Sequence, residues 1–234
     1  MSASSGIRLS VDAVVFDAYG TLFDVYSVES TADRLFPGQG AALSKSWRAK
    51  QLEYTWLQSL MHSPTQRRED FAAVTAHALE YAAAALGLTL TAQARHRLLD
   101  SYLDLAPFSD AESTLSRLAP FPRLILSNGT REMLEPLAAA TGIARHLDAI
   151  LSVEAAGIYK PSPRVYQLAV DHLQLQPRRI GFISSNSWDA IGARAFGFTS
   201  IWVNRGRAPV DRHGPPPDAV VESLSELPAL LGKA

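Results

Sequence analysis

The sequence has no cysteine among its 234 residues. This absence excludes disulfide bridges, thiolate metal sites and a cysteine nucleophile. No apolar run reaches the ~18 residues that a membrane-spanning helix needs. The N-terminal stretch MSASSGIRLS also lacks the apolar core of a signal peptide. We therefore expect a cytoplasmic protein with no membrane partner.

The sequence also lacks an excess of charge of either sign. Its formal net charge is -1, and its arginine pairs are dispersed along the chain. Because nucleic-acid binding depends on concentrated positive charge, a nucleic-acid partner is not expected. Hydrophobic residues make up 47% of the chain, which is enough for a substantial core. The length fits one domain, or one domain that carries an insertion.

Five short apolar runs, often β-branched, punctuate the chain. They are VDAVVFD (11–17), RLILSNG (123–129), HLDAILSVE (146–154), RIGFISSN (179–186) and TSIWVNRG (199–206). Such near-continuous apolar runs are typical of strands buried on both faces of a parallel sheet. Helical patterns over 131–143, 162–175 and 188–197 separate the last four runs. This alternation predicts a doubly wound α/β domain.

The region between Asp24 and about Pro107 interrupts the alternation. It contains helical patterns rich in Ala, Leu and Gln and no good strand, which predicts a helical insertion after the first strand. Its segment LEYTWLQSLM (52–61) is apolar around most of a helix, so it must be covered on more than one side. Either core packing or a subunit interface provides that cover. The segment HSPTQRRED (62–70) is predicted to be a polar loop.

Polar side chains stand at the carboxyl ends of the predicted strands. They are Asp17, Ser127-Asn128-Gly129, Lys160, Ser184-Ser185-Asn186 and Asp189. A single acid after a strand is most often a turn or cap residue. Four polar clusters at four strand ends are harder to explain that way, because this edge of an open α/β sheet forms the ligand crevice. The sequence therefore predicts a functional site there.

Four motifs carry a family resemblance. DAYGTLFD, ILSNG, YKPSPRVY and SSNSWDA stand in the order of the motifs of the haloacid dehalogenase-like hydrolase superfamily. The cap segment WRAKQLEYTWLQSLM, LAPFSD and WVNR narrow the resemblance to the L-2-haloacid dehalogenases, over roughly residues 10 to 205. The resemblance implies an α/β core with a Rossmann-like parallel sheet, formed by 10–24 and 105–234, and an all-helical cap domain, formed by 25–104.

Two substitutions distinguish this chain from the Mg²⁺-dependent phosphotransferases that dominate the superfamily. Their first motif carries a second acid that protonates the leaving group, and their fourth motif carries two acids that help to hold the metal. Here Tyr19 stands in place of the second acid of the first motif. Ser185 stands in place of one of the two acids of the fourth motif, so Asp189 is the one acid left there. Halide is a very weak base and departs without a general acid. We expect a dehalogenase without metal or cofactor. The alternatives are a Mg²⁺-dependent phosphatase of a small phosphate ester and a haloacid dehalogenase that also defluorinates fluoroacetate.

The resemblance also implies a mechanism. Asp17 attacks C2 of a short (S)-2-haloalkanoic acid and forms an aspartyl ester. Water then hydrolyses the ester and releases an (R)-2-hydroxy acid. The catalytic residues implied are Asp17, Thr21, Arg48, Ser127, Asn128, Lys160, Ser184, Asn186 and Asp189.

Individual roles follow from the resemblance. Lys160 keeps Asp17 ionised, and Thr21 orients it. Ser127 and the backbone N–H groups after Asp17, beginning at Ala18, bind the substrate carboxylate.

The remaining polar residues serve the halide and the water. Asn128 and Arg48 hold the leaving halide. Asn186 and Asp189 position or activate the hydrolytic water, although Asp189 has a second interpretation as a helix-entry acid and partner of Lys160.

Five apolar or aromatic side chains are predicted to line the substrate pocket, with core packing as the alternative for each. They are Tyr19, Leu52, Phe71, Tyr166 and Trp188. The partners expected are a small haloacid and a second copy of the chain, which forms a homodimer through the cap helix at 50–61.

Overall fold

A computed structural model describes residues 8–61 and 68–233. The N-terminal residues 1–7 and most of the predicted loop at 62–70 therefore lie outside the described residues. Residues 68–70 are described and belong to neither a helix nor a strand.

A six-stranded parallel sheet forms the centre of the molecule, in the order β4-β3-β2-β5-β6-β7. Its strands are β2 (Ala13–Phe16), β3 (Arg123–Ser127), β4 (Ala149–Ser152), β5 (Ile180–Ser184), β6 (Thr199–Val203) and β7 (Ala219–Val221). A separate two-stranded sheet pairs β1 (Leu9–Val11) with β8 (Leu231–Lys233). All five predicted strands are confirmed, each shorter than its apolar run. The sequence patterns missed β1, β7 and β8.

Strand β2 occupies the position in the sheet that matters most for function. All four of its residues are buried, and it pairs with β3 on one side and β5 on the other. The chain order therefore reverses at β2, which is the type of position where open α/β sheets bind ligands. Asp17 follows β2 directly, so it lies at the carboxyl edge of this central strand.

Helices α5 to α9 accompany the sheet strands. They are α5 (Ala111–Arg117), α6 (Arg131–Ala140), α7 (Pro163–Leu173), α8 (Ser187–Phe196) and α9 (Leu227–Leu230). Gly142, two residues after the end of α6, has a φ of 74°, and Gly197 ends α8 with a φ of 113°. Glycine suits both positions because positive φ is costly for residues with a Cβ atom.

A helical cap is inserted between β2 and β3. It contains α1 (Glu29–Leu35), α2 (Gly40–Leu60), α3 (Phe71–Ala85) and α4 (Ala92–Leu103). The buried Trp47 of α2 fixes α2 to α3, because its Nε1–H donates to the Thr75 carbonyl at 2.8 Å. The predicted helical insertion is confirmed. Among residues 8–61 and 68–233, no helix combines the length and apolarity that a membrane crossing requires.

The two connections between cap and core lie side by side. Asp24 N–H donates to the Ala106 carbonyl at 2.8 Å, and Phe108 N–H donates to the Leu22 carbonyl at 2.9 Å. The Arg205 guanidinium lies 4.1 Å from the centre of the Phe108 ring. The cap is therefore fastened to the core where the chain leaves and re-enters it.

Asp110 holds this junction together. Its carboxylate accepts hydrogen bonds from Arg205 at 2.8 and 2.9 Å, from the Ser223 hydroxyl at 2.8 Å and from Leu224 N–H at 2.9 Å. Burial acts to raise the pKa of Asp110, but the bonds from Arg205 and Ser223 outweigh it and lower the pKa below its ordinary 3.8. The ionised carboxylate therefore stabilises the folded state.

We predict that Asp110→Asn lowers the free energy of unfolding by about 1–3 kcal/mol at pH 7, because it leaves donors without their charged acceptor. The stabilising contribution of the carboxylate is fully present above its unfolded pKa and is lost as the pH falls through its lower folded pKa. The difference in the free energy of unfolding between wild type and variant should therefore narrow as the pH falls below 3.8, the ordinary pKa of an aspartate. Urea unfolding at several pH values measures this difference. The exposed Asp104 provides a control, Asp104→Asn, and equal stabilities of the Asp110 variant and wild type at pH 7 would contradict the prediction.

Candidate active site

The loop after β2 presents the Asp17 carboxylate. Gly20 has a φ of 92°, which allows the chain to turn sharply after the strand. The Ala18 carbonyl accepts from the N–H groups of Thr21, Leu22 and Phe23, so the turn is tightly bonded. Thr21 Oγ1 donates to Asp17 Oδ2 at 3.0 Å and accepts from Ser185 N–H at 2.8 Å. Thr21 therefore orients Asp17 and ties its loop to the end of β5.

Lys160 connects two buried carboxylates. Its Nζ lies 3.1 Å from Asp17 Oδ1 and 2.9 Å from Asp189 Oδ2. The side chain of Lys160 is 1% exposed and that of Asp189 is fully buried. The Lys160 N–H also donates to Asn128 Oδ1 at 3.0 Å, which fixes the loop after β4 against the end of β3. Lys160 is therefore positioned by both its backbone and its ammonium group.

The surroundings of this cluster shift the pKa values of Lys160 and Asp189. Burial acts to lower the pKa of Lys160, but Asp17 and Asp189 outweigh it, so the pKa is raised and the ammonium stays charged. Burial raises the pKa of Asp189 to about 6, and repulsion from Asp17 adds to the shift, while Lys160 and Tyr166 oppose it. Asp189 therefore loses its proton at a pH closer to 7 than an ordinary aspartate does.

Asn186 joins Asp17 from the start of α8. Its Nδ2 donates to Asp17 Oδ2 at 2.8 Å and to the Tyr19 carbonyl at 3.2 Å. Its N–H donates to Ser184 Oγ at 3.1 Å, so Ser184 supports the turn that carries it. The Asp17 carboxylate thus contacts side chains from its own loop, from the loop after β4 and from the β5–α8 turn.

Arg48 reaches the site from cap helix α2. Its guanidinium donates to the Tyr19 carbonyl at 3.1 Å, to Asn186 Oδ1 at 3.4 Å and to Gln51 Oε1 at 2.8 Å. Buried Gln51 in turn accepts from the Tyr102 hydroxyl at 3.0 Å. The sequence patterns did not indicate Gln51 or Tyr102. The signal for Gln51 was a polar residue three positions after Arg48, a spacing that places both on the same face of a helix.

The end of β3 contributes Ser127 and Asn128. Ser127 Oγ accepts from Gly129 N–H at 3.1 Å, and the Gly129 carbonyl accepts from the Ser152 hydroxyl at 2.7 Å. Both Ser127 and Asn128 are buried. The sequence patterns did not indicate Ser152 either, which lies within the predicted run 146–154 and ends the observed β4.

Aromatic side chains surround the polar cluster. The Tyr19 ring lies 5.4 Å from the Phe71 ring and 5.5 Å from the Tyr102 ring. Trp188 and Trp56 meet edge to face at 5.5 Å. A cavity of about 580 Å³ opens beside the cluster, and the predicted site residues Arg48, Leu52, Asn186 and Trp188 are among those that line it.

The structure places Tyr166 elsewhere than predicted. Its ring packs against Phe182, Phe196 and Phe198 at 5.6 to 5.8 Å. Its hydroxyl donates to Asp189 Oδ1 at 2.8 Å. It therefore lies behind Asp189 and supports the carboxylate. The helical pattern over 162–175 placed Tyr166 on a helix but did not indicate which residues its side chain meets.

The acids at this edge of the sheet do not fit a Mg²⁺ site. Mg²⁺ requires several oxygen ligands in octahedral geometry. Within residues 8–61 and 68–233, no group of three or more His, Cys, Asp or Glu side chains is arranged to hold a metal ion. The Lys160 ammonium lies between Asp17 and Asp189 and bonds to both. This arrangement supplies positive charge from a side chain.

Comparisons with known proteins agree with this geometry. The family model of the haloacid dehalogenase-like hydrolases matches residues 11–197. A curated (S)-2-haloacid dehalogenase from Pseudomonas sp. (strain YL) is 43% identical over 226 residues, which cover 96% of each chain. A second, named H-109 and from Pseudomonas putida, is 42% identical and covers 93% of this chain and 96% of its own.

A solved structure is similar as well. The L-2-haloacid dehalogenase from Xanthobacter autotrophicus, with chloropropionic acid covalently bound, has a TM-score of 0.86 and is 39% identical. The match covers 94% of this chain and 98% of that one. The chain therefore belongs to the haloacid dehalogenase-like hydrolase family and, within it, to the (S)-2-haloacid dehalogenases.

Proposed function

We propose that this protein hydrolyses short (S)-2-haloalkanoic acids to (R)-2-hydroxy acids and halide, without a metal. The observation that carries the proposal is the buried Asp17 carboxylate, held at 3.1 Å from the Lys160 ammonium and bonded to Thr21 and Asn186. The names of the curated relatives support the substrate class. The covalently bound chloropropionic acid in the Xanthobacter autotrophicus structure supports a covalent intermediate.

The first step is a displacement at C2 of the substrate. An oxygen of Asp17 forms a bond to C2 while the carbon–halogen bond breaks, and its electron pair leaves with the halide. Attack from the side opposite the halogen inverts C2. The halide leaves without a proton, which suits a site where Tyr19 stands in place of a second acid.

Separate groups bind the two ends of the substrate. Ser127 and the backbone N–H groups that begin at Ala18 hold the carboxylate. Arg48 and Asn128 face the halide. The surrounding side chains of Tyr19, Leu52, Phe71 and Trp188 exclude bulk water, which strengthens these polar interactions.

In the second step, water attacks the ester carbonyl carbon of Asp17. Negative charge then develops on the Asp17 oxygen that is not bonded to C2. Lys160 donates to Oδ1, and Thr21 and Asn186 donate to Oδ2, so either oxygen already has a hydrogen-bond donor. The proton of the water passes to Asp189, whose pKa of about 6 suits a base near neutral pH. Collapse of the intermediate breaks the bond between its carbonyl carbon and the ester oxygen, and Asp189 returns its proton to that oxygen, so the hydroxy acid is released. The remaining proton of the water leaves the Asp17 carboxyl group for solvent, which regenerates the carboxylate.

Asp17→Asn should abolish halide release from (S)-2-chloropropionate, with a loss on the order of 10⁶-fold, as for removal of the covalent nucleophile in another hydrolase. An ion-selective electrode measures chloride. Mass spectrometry of acid-quenched wild type should find the substrate acid esterified to the peptide that contains Asp17. A wild type that releases no more halide than the variant, from any short haloacid, would refute the proposal.

The Mg²⁺-dependent phosphatase alternative is tested in the same assay. Halide release by the wild type should survive EDTA, because Lys160 supplies the positive charge beside Asp17. Phosphate-ester turnover that EDTA abolishes, in the absence of halide release, would instead favour the phosphatase.

Tyr166→Phe should shift the acid limb of the pH profile of kcat/KM to higher pH. The Tyr166 hydroxyl lowers the pKa of Asp189, so its loss raises that pKa above about 6. Protonated Asp189 neither pairs with Lys160 nor accepts a proton. Rates of halide release between pH 4.5 and 8 measure the shift, with the exposed Tyr81→Phe as control. An unchanged acid limb would show that Asp189 does not control it.

We further propose a two-domain organisation and a homodimer. Residues 10–24 and 105–234 form the core domain, and residues 25–104 form the cap domain. The dimer forms through the cap helix at 50–61, where three apolar side chains of α2 and its end are exposed, namely Leu57, Leu60 and Met61. Association would remove this apolar surface from water. A cytoplasmic location stays a prediction from the sequence.

Leu60→Lys should convert the dimer into a monomer, because Leu60 is 82% exposed in a single chain and a lysine would be desolvated in the interface. Sedimentation velocity measures the mass. Leu103, which is 48% exposed on α4, provides the matched control Leu103→Lys and should leave the dimer intact. A monomeric wild type would exclude this interface.

A further inference from the structure

The Tyr19 hydroxyl is an exception among the buried tyrosines of the site. The hydroxyls of Tyr102, Tyr159 and Tyr166 each donate to a protein acceptor, at 2.7 to 3.0 Å. The Tyr19 side chain is only 2% exposed, yet its hydroxyl has no hydrogen-bond partner among the described residues. Burial of an unpaired hydroxyl destabilises the fold. A polar group that is kept under this penalty calls for a functional explanation.

The position of the Tyr19 hydroxyl is fixed by close packing. A Cβ atom at Gly129 would lie 2.7 Å from Tyr19 Cε2 and 3.1 Å from the hydroxyl oxygen. The phenol therefore lies against the backbone of Gly129, immediately after Asn128. Glycine is required at 129 because any side chain would displace the ring. The hydroxyl thus lies beside the strand end that carries Asn128.

The backbone of Tyr19 is held on the other side of the site. Its carbonyl accepts from Arg48 at 3.1 Å and from Asn186 at 3.2 Å. Burial raises the pKa of Tyr19 well above its ordinary value, Tyr102 and Asp17 add to the shift, and Arg48 opposes it. The hydroxyl therefore stays protonated and is a donor. It lies close enough to Arg48 and Asp17 to experience both charges.

We propose that the Tyr19 hydroxyl donates a hydrogen bond to the departing halide, as a third donor beside Arg48 and Asn128. This inference rests on the proposed function. Carbon-bound halogen is a poor acceptor, whereas negative charge accumulates on it as its bond to C2 breaks. A donor fixed in advance at that position stabilises the transition state more than the bound substrate. The proton remains on the Tyr19 oxygen throughout.

Tyr19→Phe provides the test, because it removes the hydroxyl and keeps the ring. Single-turnover alkylation of Asp17, with enzyme in excess, is measured for (S)-2-chloropropionate and (S)-2-bromopropionate. The rate for the chloro acid should fall about 10- to 100-fold, the range for a hydrogen bond to a charged group. The fall should be smaller for the bromo acid, because bromide is larger and accepts weaker hydrogen bonds. The Tm of the ligand-free variant should equal or exceed that of wild type, because an unpaired buried group is gone.

Tyr159→Phe is the comparator, since it removes a hydroxyl from the same aromatic cluster, in which Tyr19 and Tyr159 both pack against Phe71. The Tyr159 hydroxyl donates to the Glu69 carbonyl and not to a group that faces the halide, so any loss should be the same factor for both leaving groups. Equal losses for the two acids in Tyr19→Phe, or no loss, would overturn the inference. The proposed function would survive that result as long as Asp17→Asn still abolishes halide release, so the two failures are distinguishable.

Discussion

The structure of the site depends on one buried ammonium between two carboxylates. Lys160 Nζ contacts Asp17 at 3.1 Å and Asp189 at 2.9 Å, with almost no solvent access. A buried charge without a partner is strongly destabilising, so these three residues must assemble together. They come from the loops after β2 and β4 and from the first turn of α8. The pairing therefore fixes the relative positions of these segments and places positive charge beside the nucleophile.

The same arrangement explains the choice of chemistry. A phosphoryl group carries several negative charges and an alkoxide leaving group needs a proton, whereas a haloacid carries one charge and loses a weak base. Lysine balances a single charge without the ligand shell that Mg²⁺ requires. Related phosphotransferases have acids at the positions of Tyr19 and Ser185. The loss of these two acids accompanies the use of a lysine in place of Mg²⁺. Charge in the site is thus matched to charge in the substrate.

The sequence predicted the features that depend on sheet topology. Five of the six strands of the central sheet were found because burial on both faces makes them continuously apolar. The sixth, β7, and the two strands of the separate sheet, β1 and β8, have only three residues each. Asp17, Lys160 and Asn186 were predicted together because parallel strands end at one edge. Gln51, Tyr102 and Ser152 were missed because their roles arise from tertiary contacts. The position of Tyr166 behind Asp189 depends on helix packing, which periodicity does not specify.

The two halves of the site differ in how their hydrogen bonds are used. Around Asp17 every carboxylate oxygen has a partner, so the nucleophile is held rigidly before substrate arrives. Beside Gly129, the Tyr19 hydroxyl is buried without a partner among the described residues, and its ring packs against the Gly129 backbone. A donor that is fixed but unpaired weakens the fold, yet it needs no reorganisation when charge develops next to it. The hydrogen bonds of the site therefore hold the attacking carboxylate in place. The unpaired Tyr19 hydroxyl lies where negative charge appears only as the bond to the halogen breaks.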